Sequence, residues 1–176
     1  MRFISDSFPP VSGLFSALAV FIVATVTLAG LPACSSDSRP GPDFSMVPDP
    51  VDISGLTPAD TLSNGTIIYI VEEGDEGSLG ALSIRDTALM RFSSWRNSGS
   101  GDVLDSTYEG GNMEPLPVDV LNITFGSSGR IATGNYFRFM VAGMEEGEFR
   151  SALVPPETSG LPDTLRYDIE LHEILD

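Results

Sequence analysis

Lysine is missing from this chain. All nine basic residues are arginine, set against 25 acidic residues, and the net charge is −16 with an isoelectric point near 4.1. Lysine is ordinarily among the commonest residues, so its complete absence is a bias with a cause. Two causes fit. In concentrated salt, dense carboxylates stay hydrated and their mutual repulsion is screened over about 3 Å at 1 M, whereas lysine's long apolar stem is a liability. A GC-rich genome that spells its cations as arginine yields the same composition. Either way nucleic acid is not an expected partner, because phosphate contacts need clustered basic side chains. Cysteine occurs once, at Cys34, so no intramolecular disulfide can form. Histidine also occurs once, at His172, which leaves a catalytic triad or a zinc site nothing to build on. No metal or cofactor is expected. The acidic stretch Glu72-Glu73-Gly74-Asp75-Glu76 lacks the alternating ligands of a calcium loop, and neither Gly99-Ser100-Gly101 nor Gly126-Ser127-Ser128-Gly129 leads into a Gly-Lys-Ser/Thr phosphate loop.

What is present begins with a long apolar run. Leu14 to Gly30 is almost unbroken Leu, Ala, Val, Phe, Ile and Thr, preceded by Arg2 and closed by Leu31-Pro32-Ala33-Cys34-Ser35. This pattern resembles a bacterial lipoprotein processing site. The resemblance implies a signal peptide over 1–33, a diacylglyceryl group on the thiol of Cys34, cleavage before that residue and acylation of its new amine. Several acyl chains hold firmly where a single one is marginal. An uncleaved N-terminal anchor with an incidental Cys34 is the alternative, and both readings place the rest of the chain outside the cytoplasm, on the periplasmic face of a bacterial membrane. Ser35, where an aspartate would retain the protein at the inner membrane, leans towards the outer one. Residues 34–60 follow as the lipidated cysteine and a flexible tether, in which Pro40, Pro42, Pro48, Pro50 and Pro58 block helix and sheet pairing. Residues 61–176 then suffice for one modest core.

That remaining segment reads as strands punctuated by glycine and proline. Candidates are Thr66 to Val71, Arg85 to Trp95, Val118 to Phe125 with a bulge between Val120 and Leu121, and Glu148 to Val154. The clearest is Leu165 to Leu175, whose period of two sends Leu165, Tyr167, Ile169 and Leu171 to a core and Arg166, Asp168, Glu170 and His172 to water. Asn135 to Ala142 reads as a short helix, with Tyr136, Phe137, Phe139, Met140 and Val141 expected to be buried. The expected fold class is α+β, an antiparallel sheet wrapped around one short helix.

Across Ser63 to Asp176 several segments match one family in order and spacing. They are Phe92-Ser93-Ser94 followed by Gly101-Asp102-Val103-Leu104-Asp105-Ser106, then Gly143-Met144-Glu145-Glu146-Gly147-Glu148, Leu153-Val154-Pro155-Pro156-Glu157, and Thr164-Leu165-Arg166-Tyr167-Asp168-Ile169-Glu170-Leu171. Together they resemble the FKBP-type peptidyl-prolyl cis-trans isomerases, in divergent form. The resemblance implies an FKBP-like fold and a reaction without nucleophile, metal or cofactor. X-Pro isomerisation crosses a barrier of about 18–20 kcal/mol, and a water-poor apolar pocket lowers it by stripping hydrogen bonds from the planar amide while ring walls hold the prolyl group.

Carried over position by position, the family's pocket falls on Phe92, where the family has tyrosine, Asp105, Phe137 as the ring floor on the helix, and Tyr167 on the last strand, as catalytic residues. Leu104, in place of a phenylalanine, and Ile131, an aliphatic wall, are implied as substrate-binding residues. Counting forward from Gly126 instead puts Asn135 at the floor. Read from the residues alone, Phe92, Leu104, Phe137 and Tyr167 are equally core positions, Trp95 is either core or a substitute ring, and Asp105-Ser106-Thr107 is equally a turn that caps its own backbone. The family's tyrosine-bearing loop is replaced by the short Glu157-Thr158-Ser159-Gly160. The implied partners are proline-containing unfolded or exported polypeptides, bound by a monomer. The alternative is a non-catalytic binding or chaperone module that has kept the fold and lost the active loop.

If high salt shaped the composition, the thermal midpoint rises from low to molar KCl. A midpoint that stays flat across that range assigns the bias to codon usage.

Overall fold

The computed structural model describes residues 41–75, 79–99, 101–125, 129–130 and 135–175. Among the described residues nine antiparallel strands form one sheet. They are β1 (Asp60–Thr61), β2 (Ile67–Glu72), β3 (Thr87–Trp95), β4 (Val103–Ser106), β5 (Leu116–Asp119), β6 (Thr124–Phe125), β7 (Gly129–Arg130), β8 (Phe149–Val154) and β9 (Leu165–Leu175), with α1 (Phe137–Val141) and α2 (Pro156–Ser159) as the short helices among the described residues. The order across the sheet is β1-β2-β8-β9-β3-β5-β6-β7, and β4 pairs with the other end of β3. The expected antiparallel α+β arrangement is what forms.

β9 is the keel. It pairs with β8 over Leu165–Glu170 on one side and with β3 over Arg166–Leu175 on the other. Leu165, Tyr167, Ile169 and Leu171 are fully buried and face α1, which contributes Phe137, Met140 and Val141 to the same core. The period of two then breaks at His172, where a bulge against Leu89 and Met90 turns Ile174 inward and leaves Glu173 exposed. Two expectations fail locally. Val118 to Phe125 is a tight hairpin rather than one bulged strand, since Val118 pairs with Phe125 while the Asp119 carboxylate accepts the Asn122 backbone N–H at 2.9 Å and closes the turn. Phe139 is 48% exposed, because five residues of helix cannot turn every ring inward; the Arg138 guanidinium lies 5.2 Å from its centroid.

α1 is too short to stabilise itself, and its end is held by the sheet. The Arg150 side chain on β8 donates to the carbonyls of Met140 and Ala142, 3.0 Å each, and pairs with Glu148. The Gly143-to-Glu148 turn that follows needs positive φ at both glycines, 76° and 81°, which Gly adopts without strain. It is laced to neighbouring segments by Gly143 N–H to Leu82 O and Gly147 N–H to Leu171 O, at 2.8 and 2.7 Å.

The face of β9 expected to be wet is not. Arg166 and Asp168 are only 5% and 7% exposed. They lie beneath residues 48–51, part of the stretch expected as a solvated tether, which instead crosses the sheet as a strap. The Val51 N–H donates to Asp168 Oδ2 at 2.9 Å, and Arg166 Nη2 donates to the Val51 carbonyl. Asp168 also accepts from Arg166 Nε at 2.9 Å, Arg166 Nη2 at 3.1 Å and Ser151 Oγ at 2.7 Å, so the buried carboxylate is fully engaged. Further along, Asp43 O accepts the Gly110 N–H at 2.9 Å, and Ala59 N–H reaches Ile68 O at 2.8 Å. At Gly99 a side chain has no room, since an added Cβ would sit 3.0 Å from both Pro50 and Arg166. The signal peptide and Cys34 lie outside the described residues.

Arg166→Ala leaves a buried carboxylate short of two donors and is expected to cost about 3–5 kcal/mol in denaturant unfolding. Hydrogen exchange is expected to show the Val51 amide losing its protection. Unchanged exchange there would mean that the pair does not hold the strap.

Candidate functional site

Phe92, Asp105, Phe137 and Tyr167 come together where β3, β4 and β9 meet α1. Phe92 and Tyr167 point to one face of the sheet because β3 and β9 are in antiparallel register, with Phe92 opposite Ile169 and Ser94 opposite Tyr167. Phe137 meets them from the helix. Its ring lies 5.6 Å from Phe92 and 6.2 Å from Tyr167, edge to face in both cases, a favourable arrangement for the ring quadrupoles. The helix count that points to Phe137 thus lands on a ring of this cluster, whereas Asn135 is on the surface. Leu104 packs against this core from a partly buried position. Ile131 lies outside the described residues.

The cluster is closed to solvent. Phe92, Phe137 and Tyr167 expose 1%, 0% and 0% of their surface. A residue not assigned from the sequence completes it: Tyr136, just before α1, sets its ring 6.2 Å from that of Tyr167, with the two hydroxyls 3.5 Å apart. The tyrosine at 167 supplies the oxygen for that contact. Burial pushes the Tyr167 phenol far above the ordinary tyrosine range, and the Tyr136 phenol and the Asp105 carboxylate add to the rise. Tyr167 therefore stays neutral, a hydrogen-bonding wall rather than a base.

Asp105 serves its own turn as well as facing the rings. Its Oδ1 accepts the Ser106 N–H at 2.9 Å. The next two hydroxyls staple β4 to β3: Ser106 Oγ bonds Ser93 Oγ at 2.8 Å, and Thr107 Oγ1 accepts the Phe92 N–H at 3.0 Å. The turn reading of Asp105 is what forms, and this turn fixes the direction of the carboxylate.

Trp95 is buried, as the core reading expects, and is not a substitute ring of the cluster. It stands in register with Arg166 on the opposite face of the sheet, away from the ring cluster and under the strap. Beyond β8, α2 and the left-handed Gly160 (φ 71°) close the connection to β9 within a few residues, so no tyrosine is offered from that side. Among the described residues no three metal-ligating side chains gather into a site.

Comparison with known proteins gives the fold its name. No family model matches the sequence, and no curated protein matches it. Solved structures do. The N-terminal domain of FKBP42 from Arabidopsis thaliana superposes with a TM-score of 0.50 at 18% identity, over 74% of this chain and 98% of that one. A multi-domain immunophilin from the same plant gives 0.51 at 16% identity, over 72% and 48%. FkpA from Escherichia coli gives 0.49 at 21% identity over 65% of this chain, which spans only 50% of that protein. With the strand order and the helix on the sheet's ring-lined face, the two Arabidopsis likenesses identify the folded part of the chain as a divergent FKBP-like domain.

Proposed function

We propose that this chain binds proline-containing segments of exported polypeptides and speeds cis-trans isomerisation of their X-Pro bonds, from a lipid anchor at Cys34 on the periplasmic side of a bacterial membrane, the outer membrane being favoured. The observation that carries this reading is the convergence of Phe92, Asp105, Phe137 and Tyr167, the positions matching the family's pocket, in one contact cluster between β9 and α1. Rings in that place offer a prolyl group apolar walls, and their dryness disfavours the solvated planar amide relative to the twisted one. Nothing in the reaction requires the chain's single histidine or cysteine.

A second reading is favoured by the closure of the same rings and by the short loop at α2: an FKBP-fold module that binds envelope polypeptides without catalysis. For a prolyl group to enter, the rings must part.

In a protease-coupled assay on Leu-Pro and Ala-Pro tetrapeptides in molar salt, acceleration over the uncatalysed rate is expected, and Phe137→Ala is expected to abolish it while costing about 3–5 kcal/mol of stability. No acceleration by the unsubstituted protein would end the catalytic reading. Alkaline titration tests the closure itself. Because the folded-state pKa of Tyr167 is raised, its contribution to stability is intact below about pH 10 and is lost as pH rises beyond that. Closed rings predict that its tyrosinate signal develops only with unfolding, and that Tyr167→Phe removes that step. A signal developing before unfolding would show a cluster open to water.

A further inference from the structure

The sheet face opposite the ring cluster carries a cavity of about 290 Å³ between the strap and the strands. Its apolar walls are Trp95, Tyr108 and Phe149, with Pro48 and Val51 on the strap side. None of these three rings stacks on another ring among the described residues; Tyr108 and Phe149 are half-buried, and Trp95 lies beneath the strap at the cavity's back. The volume lies near the lower end of small-molecule pockets, about 300–1,000 Å³, and suits one long side chain rather than a nucleotide or cofactor.

The polar lining selects the charge of that side chain. Arg91, Asp49, Asp168 and Glu170 border the cavity. Asp168 is neutralised by Arg166, and Arg91 is held by Glu170 at 3.4 Å and by the Met113 carbonyl at 3.0 Å. The exposed carboxylate of Asp49, on the strap, forms no ion pair among the described residues. Once these pairs cancel, what faces the cavity is aromatic surface with one negative charge at its mouth, in a chain of net charge −16. Aromatic faces and a carboxylate together attract a cation with an apolar stem. The same face already holds a stretch of main chain, since Asp168 accepts the Val51 N–H and Arg166 donates to the Val51 carbonyl.

We propose that this cavity is a binding site for an arginine or lysine side chain of an extended polypeptide segment, laid beside the strap on the outer face of the sheet. The assignment stands apart from the prolyl reading of the ring cluster, and its test uses no isomerase readout. Trp95, the sole tryptophan, reports on the cavity directly.

Tryptophan emission is to be followed at fixed ionic strength with N-acetyl-arginine amide, N-acetyl-lysine amide, the uncharged N-acetyl-norleucine amide and the tripeptide Ac-Ala-Arg-Ala-NH2. Both cationic probes are expected to saturate the signal, the norleucine probe to bind about tenfold more weakly, and the tripeptide more tightly than the single residue. Asp49→Asn and Tyr108→Leu are each expected to weaken arginine binding several-fold with the far-ultraviolet spectrum intact, while the remote Glu157→Gln leaves it unchanged. An emission that ignores the arginine probe, a norleucine probe that binds as well, or an Asp49→Asn variant with undiminished affinity would each overturn the site. A tripeptide no tighter than the single residue would overturn the polypeptide assignment.

Discussion

The paired side chains of Arg166 and Asp168 are the constraint on which the rest of this domain turns. β9 is the central strand of the sheet, and such a strand is ordinarily stable with one dry face and one wet one. Here both faces are covered. The inner face is closed by hydrocarbon and rings, the outer one by a strap of the same chain, and a charged pair sits beneath the strap. Removing a carboxylate and a guanidinium from water costs more than their attraction returns unless every remaining donor and acceptor is met. Four donor contacts to Asp168 meet that condition, and one of them comes from the strap backbone. The strap thus completes the pair's hydrogen bonding, and the pair in turn holds both the N–H and the carbonyl of Val51.

This interdependence explains what the sequence disclosed and what it hid. The inner face of β9 was legible because a β-strand places alternate side chains on opposite faces, so Leu165, Tyr167, Ile169 and Leu171 announce themselves. The outer face was not. Arg166 and Asp168 look like ordinary solvated charges until a segment more than a hundred positions away is known to cross them, and proline-rich composition reads as a tether whether or not it is bound. What covers Trp95 was hidden for the same reason. Its burial was expected, but the cover comes from the strap rather than from the core. The hairpin at Val120 to Ile123 was hidden by a subtler ambiguity, because a reversal of chain direction and a bulge both disturb the alternation of apolar residues.

At the candidate site, the positions of the rings were readable from motif order, and their mutual closure was not. Phe92, Phe137 and Tyr167 are dictated by strand register and by the helix that crosses the sheet. Whether such rings bound an open cleft or fill it depends on substitutions whose effects are cooperative. Tyr167 brings a hydroxyl that meets Tyr136, and Leu104 packs against the cluster with an aliphatic side chain rather than a ring. A local sequence pattern names the participants in such a cluster without stating how far apart they stand. The same reservation applies to Asp105, whose carboxylate direction follows from the Ser106 and Thr107 staple rather than from the residue itself.

The strap also decides how the domain bears mechanical load. Tension entering from the N-terminal side reaches the Asp43–Gly110 contact and then the Val51 clip before it can arrive at β1, a two-residue edge strand that would unzip readily. At Val51 the pull passes through side chains rooted in β9, the strand anchored on both flanks. The force is thus delivered to a strand paired on both sides, and the weak margin is spared.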